Sequence, residues 1–241
     1  MAQKEIRYGE HRFAISYEMR NLEATRDVVF LHGWGSNKAL MSGAFGDCLK
    51  SFRHIYIDMP GFGQSPNDEV LSTQDYAMII AQFLKELGVN PYVVAGHSFG
   101  GKVATLLAPP RLILIATSGI VVPKPFKVRF KIALYKFLKR FGLGFLRKRF
   151  VSDDGKHLND AMYETFKNVV NEDFSEYFAE CKSETLLLWG IEDTATPIAT
   201  AHEIHHLING SKLIECSGDH YFFLHQREPV CEKIEAFTGG S

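Results

Sequence analysis

Gly96–His97–Ser98–Phe99–Gly100 sets a serine between two glycines, the G-x-S-x-G spacing of a nucleophile presented on a sharp strand-to-helix turn. The apolar run Tyr92–Ala95 before it and the helical pattern after it supply the strand and helix that such a turn requires. A serine hydroxyl is a poor nucleophile until a base takes its proton and a carboxylate orients that base. Two downstream loops carry those residue types in the order Ser, acid, His. Asp193 follows the apolar run Thr185–Trp189, with Glu192 as a competing acid. His220 follows Lys212–Glu215, with Asp219 beside it, too close in sequence to aim at its ring, and His225 as the alternative base where a final helix begins. Acyl transfer also needs backbone N–H groups aimed at the developing oxyanion. His32–Gly33–Trp34–Gly35–Ser36 lies just after a strand and offers the Trp34 amide, while Phe99 offers the amide next to the nucleophile. The Trp34 side chain also reads as an apolar wall of a pocket. His202, His205 and His206 fall at i, i+3 and i+4 and mimic metal ligands. They read as a solvated helix face, and neither a metal site nor a cofactor is expected.

The elements that must hold these loops alternate. Val28–Leu31 and Ile55–Ile57 are short, wholly apolar runs that suit parallel strands buried on both faces. Arg12–Met19 follows the Tyr8–Gly9–Glu10 turn and predicts an N-terminal hairpin. Tyr76, Ile79, Ile80, Phe83, Leu84 and Leu87 recur at helical spacing between Ser72 and a closing Gly88. A helix from Phe99 to Leu107 and the strand Leu112–Thr117 continue the rhythm. It breaks over a helical stretch and resumes with the strand Thr185–Trp189, a helix near Pro197–Ile208, the strand Lys212–Glu215 and a helix at Pro229–Phe237. This is the pattern of one α/β domain with a mostly parallel sheet and a helical insertion: core 1–118 and 184–241, insertion 119–183.

The chain has 241 residues, 46% of them hydrophobic, so it can bury a substantial core and is no disordered polymer. Its net charge of −1 argues against a nucleic-acid binder that is basic throughout. The charged N-terminus has no apolar core of a secretory signal, and no run reaches the length of a membrane span. Cys48, Cys181, Cys216 and Cys231 show no C-x-x-C spacing, so neither a disulfide framework nor a zinc site is expected, and a cytoplasmic location fits.

Taken together, HGWGS, DMPGFGQS, GHSFGG, WGIEDTATP and GDHYFF resemble the serial motifs of the α/β-hydrolase superfamily. The resemblance implies Ser98 as nucleophile, His220 as base, Asp193 as its orienting acid, and the Trp34 and Phe99 amides as oxyanion donors. It implies that 119–183 is a cap shaping an acyl pocket. The helix after the nucleophile, ending before Pro109–Pro110, is shorter than is usual in the superfamily. Dehalogenases and epoxide hydrolases of this scaffold carry Asp at the elbow, which Ser98 excludes. The C–C hydrolases of meta-cleavage pathways typically carry Asn before the nucleophile, and His97 tilts the choice toward esters.

The insertion is electrically lopsided. Ten basic residues and no acid lie between Lys124 and Arg149, interleaved with Phe130, Leu134, Phe137, Leu138, Phe141 and Phe145. The next stretch is acidic. A basic, amphipathic cap attracts an acidic partner or an anionic membrane surface. In charge, position and the HGWG motif the chain resembles the pimeloyl-acyl-carrier-protein methyl ester esterases of biotin synthesis. That resemblance implies an acyl ester delivered on acyl carrier protein, with Arg140, Arg147, Lys148 and Arg149 as docking candidates. A meta-cleavage C–C hydrolase, and a non-catalytic carrier- or membrane-binding module, are the alternatives.

Overall fold

A computed structural model of the chain describes residues 2–121 and 159–239. The expected hairpin forms from β1 (Ala2–Tyr8) and β2 (His11–Arg20), paired antiparallel across a turn in which Gly9 takes a positive φ of 60°. Then come β3 (Arg26–Leu31), β4 (Phe52–Ile57), β5 (Pro91–His97), β6 (Arg111–Ile115), β7 (Glu184–Gly190) and β8 (Lys212–Cys216). They make one eight-stranded sheet in the order β1-β2-β4-β3-β5-β6-β7-β8. All pairings from β4 to β8 are parallel; only the hairpin and the β2–β4 junction are antiparallel.

The helices of the described residues are α1 (Lys38–Phe45), α2 (Thr73–Glu86), α3 (Phe99–Leu107), α4 (Asp160–Val170), α5 (Ser175–Glu180), α6 (Ile198–Leu207), α7 (Phe222–His225) and α8 (Arg227–Thr238). Because strand side chains alternate, the apolar runs serve two cores at once. Val29 and Leu31 join Ile79, Phe83 and Val103 on one face; Val28 and Phe30 join Phe45, Val230 and Ile234 on the other. Ser72 and Asp75 form a reciprocal capping box that fixes the start of α2, and Gly88 closes its end at a φ of 69°. α3 stops at Leu107, as its apolar pattern indicated, with Ala108 left-handed before the two prolines.

Of the stretch 119–183 that the sequence marks as an expected insertion, residues 119–121 and 159–183 are described and contain α4 and α5. The basic run, with Arg140, Arg147, Lys148 and Arg149, lies outside the described residues. One expectation is corrected. Cys48 and Cys231 form a disulfide, with Cα atoms 5.3 Å apart and 183 residues of separation. It ties the turn after α1 to α8. Two of the four thiols are therefore paired, which removes the inference from four free thiols to a reducing compartment. No helix among the described residues is long and apolar enough to cross a membrane.

Candidate active site

The loops that leave β3, β5, β7 and β8 at their carboxyl ends converge on one cavity of about 430 Å³. Ser98 sits at the end of β5 with φ 51° and ψ −116°, a strained conformation for a residue with a side chain. The elbow is held there by Ser98 N–H donating to the Ile115 carbonyl (3.0 Å) and by Ser118 and Gly101 N–H donating to the Ser98 carbonyl (3.2 and 3.0 Å). Its tightness explains the flanking glycines: a Cβ on Gly96 would collide with the Gly100 carbonyl, and one on Gly100 with the carbonyls of His32 and Leu31.

His220 and Asp193 meet across the loops after β8 and β7. His220 Nδ1 lies 2.7 Å from Asp193 Oδ2. A carboxylate only accepts, so Nδ1 carries the proton and Nε2 keeps its lone pair. Asp193 is buried, and its other oxygen accepts from the amides of Ala195 (2.8 Å) and Thr196 (2.9 Å). Thr196 Oγ1 adds a bond to Asp193 Oδ2 at 2.7 Å. Burial on its own would raise the carboxyl's pKa, but the hydrogen bonds from His220 and Thr196 outweigh it and hold the group below its ordinary range. Glu192 is exposed, and Asp219 spends its Oδ1 on the Tyr221 amide at 2.8 Å. His225 ends α7. His202 pairs with Glu215 (3.3 Å) and His205 with Ser211 (2.8 Å), so the three helical histidines stand apart from the cavity.

Trp34 lines the cavity together with Ser98, Phe99, Phe166, Val169, His220 and Tyr221. Its indole packs against the rings of Phe62, Phe99 and Phe166 at 4.8, 5.6 and 5.3 Å, the apolar wall expected of it. The loop that carries it is fixed by His32, whose Nδ1–H donates to the Gly33 carbonyl (2.8 Å) while Nε2 accepts from Met59 N–H (3.1 Å). Burial drives the His32 pKa down to about 4, so the ring is neutral. Phe99 opens α3, where the first N–H groups have no carbonyl one turn back and are available to an anion.

Three contributors were not marked from sequence. Thr196 hydrogen-bonds the Asp193 carboxylate, but its position within TATP carries no signal of that contact. His97, just ahead of Ser98, is fully buried and places Nε2 3.1 Å from the His220 carbonyl. Lys102, one turn beyond Ser98, is 1% exposed; its Nζ donates to Glu172 (2.9 Å) and to the Val169 carbonyl (2.7 Å). A buried lysine in an apolar helix was a legible anomaly, but its partners lie 67 and 70 residues away. It moors the end of α4, and with it the Phe166–Val169 wall, to the elbow helix. Chemically, a strained serine, an oriented imidazole and the first turn of α3 on one cavity suit attack on a carbonyl carbon.

Comparisons with known proteins agree with this architecture. Residues 28–233 match the alpha/beta hydrolase family. A pimeloyl-[acyl-carrier protein] methyl ester esterase of Vibrio vulnificus (strain YJ016) is 24% identical over 247 residues, spanning 88% of this chain and 94% of that protein. A solved hydrolase from Pseudomonas aeruginosa PA01 superposes with a TM-score of 0.76 at 20% identity over 98% of both chains. A meta-cleavage product hydrolase from Pseudomonas fluorescens IP01 gives 0.71 at 17% identity over 94% of each chain. At such identities these structures speak to the fold.

Proposed function

This chain belongs to the alpha/beta hydrolase family, and we propose that within it the protein is a carboxylic ester hydrolase acting through Ser98, His220 and Asp193. His220 Nε2 takes the Ser98 proton as Oγ attacks the ester carbonyl. Asp193 stabilises the imidazolium through the Nδ1 hydrogen bond. The amides of Trp34 and Phe99 receive the oxyanion, a contribution of about 3–4 kcal/mol in comparable sites. His220 then protonates the departing alcohol, and a water activated by the same Nε2 hydrolyses the acyl-enzyme. The observation that carries this is the 2.7 Å Asp193–His220 contact beside a serine in elbow geometry.

The substrate is a medium-chain acyl ester, pimeloyl-acyl-carrier-protein methyl ester above all. Three things support it: the name of the Vibrio vulnificus relative, the apolar cavity walls, and the unbalanced basic run Lys124–Arg149. In this proposal 119–183 is a cap over a core of 1–118 and 184–241, and Arg140, Arg147, Lys148 and Arg149 receive the acidic carrier. Exposed charges of this kind raise the association rate more than they alter chemistry. The test compares carrier-linked pimeloyl methyl ester, nitrophenyl esters of varied acyl length and a meta-cleavage dienone. Turnover of the carrier-linked ester should dominate, and reversing Arg140, Arg147 and Arg149 to Glu should lower kcat/KM for it alone. Equal loss on free and carrier-linked esters would overturn the docking role, preferred cleavage of the dienone the ester assignment, and absence of all turnover would leave a binding module.

A further inference from the structure

The last residue of β5, His97, has a geometry that the hydrolytic scheme above does not use. It is wholly buried between three parts of the site: the elbow it belongs to, the loop bearing Trp34 and the loop bearing His220. Its Nε2 lies 3.1 Å from the backbone oxygen of His220. A carbonyl can only accept, so the proton is on Nε2 and the bond runs from His97 to the chain segment that carries the imidazole. Burial pushes the His97 pKa down to about 3, so the ring stays neutral and this tautomer persists throughout the working range. The opposite nitrogen, Nδ1, finds no hydrogen-bond partner among the described residues. It faces Gly33: a Cβ there would stand 2.9 Å from Nδ1 and 3.1 Å from Ser98 Cβ.

Leaving a buried nitrogen bare costs about 1–3 kcal/mol, which an apolar side chain of the same bulk would avoid. The ring's packing on His220, Tyr221 and Phe223, at 4.6, 5.2 and 4.9 Å, would be met equally by such a side chain. What only a donor at this place supplies is the hold on the His220 carbonyl. With Asp193 gripping Nδ1 of the ring, the imidazole is then fixed at both its side chain and its backbone. We propose that His97 is a positioning residue, whose Nε2–H clamps the His220 backbone and so sets the imidazole against Ser98. This rests on the assignment of Ser98 and His220 as nucleophile and base.

Two substitutions of nearly equal size and polarity separate the clamp from packing. The His97→Gln amide reaches the place of Nε2; the His97→Asn amide reaches only the place of Nδ1. Misplacing a reacting group by about 1 Å costs on the order of 100-fold. On a small nitrophenyl ester, His97→Asn should lower kcat about 10–100-fold with KM within about threefold, while His97→Gln stays within about fivefold of the parent. If the Asn variant does not fold, His97→Leu provides the comparison, keeping volume without a donor. Parent-like kcat in the Asn or Leu variant, equal damage by Gln and Asn, or a loss confined to KM would overturn the clamp. Ser98→Ala and His220→Ala are run beside them. If both are inactive while His97→Asn is not impaired, the clamp alone fails; if either keeps its turnover, the underlying assignment fails and the clamp with it.

Discussion

Acidification should destabilise this protein well above the pH at which its carboxylates titrate, because two histidines are buried in the neutral form. His32 and His97 are both fully enclosed, and burial lowers their pKa values from 6.5 to about 4 and about 3. The unfolded chain takes up these protons near pH 6.5, whereas the folded chain refuses them until pH 4 or below. Their contribution to stability is therefore complete above pH 6.5 and is lost as pH falls from there toward the folded values. Each pKa unit corresponds to about 1.4 kcal/mol, so between pH 7.5 and 4.5 each ring removes about 2.5 kcal/mol and the pair about 5 kcal/mol. His54, whose pKa burial also lowers, works in the same direction. Asp193, Asp75 and Glu18, held below their ordinary range, act only below about pH 4.5 and leave this window to the histidines. A domain stable by about 5–15 kcal/mol would thus lose a third or more of its stability. Urea unfolding at pH 7.5, 6.5, 5.5 and 4.5 reads the slope directly. His97→Gln removes one titrating ring and should reduce the loss between pH 7.5 and 4.5 by that ring's share, about 2.5 kcal/mol. A free energy that stays level from pH 6.5 to 4.5, or an unchanged slope in His97→Gln, would refute the assignment of these rings as buried and neutral.

Other outcomes follow from the same contacts. Asp193→Asn and His220→Ala should each lower kcat at least about 10³-fold, with His220→Ala at least as severe, while Glu192→Gln and Asp219→Asn stay within about threefold; damage from Glu192→Gln with a mild Asp193→Asn would move the acid to Glu192. Lys102→Met should destabilise the fold by about 1–3 kcal/mol in denaturant titration, since it strands the Val169 carbonyl and leaves Glu172 only the Thr73 hydroxyl and solvent; a change under about 0.5 kcal/mol would deny the mooring. Reducing the Cys48–Cys231 bridge releases a loop closed across 183 residues, and loop entropy puts the loss at about 5 kcal/mol. A melting temperature indifferent to reductant would show that the bridge carries no such load.

What was legible in the sequence is what local pattern dictates. The elbow, the hairpin, α2 with its serine cap and glycine stop, and the apolar strands all announce themselves within a few residues. α1 did not, because KALMSGAF is short and interrupted by a glycine, and its start depends on Asn37 accepting from the Ala39 and Leu40 amides. Asp193 and His220 were legible as residue types in loops after strands, yet their contact is made by the sheet, which sets β7 beside β8. His97 and Lys102 draw their roles from neighbours brought by the fold across 123 and 70 residues, whereas Thr196 acts on Asp193 only three residues away, through a turn that residue type alone does not announce. The Cys48–Cys231 bridge is the extreme case, since spacing along the chain holds no information about a pair joined by α1 meeting α8.

The central claim is that Ser98 is the one activated nucleophile, and covalent capture tests it most directly. The protein is incubated with a fluorophosphonate, and the adduct is located by intact mass and peptide mapping. One adduct is expected, on the peptide bearing Ser98, with loss of esterase activity in step with labelling, no adduct in Ser98→Ala, and labelling slowed at least about 100-fold in His220→Ala. An adduct on any other residue, or a parent protein that hydrolyses esters yet remains unlabelled, would contradict the account.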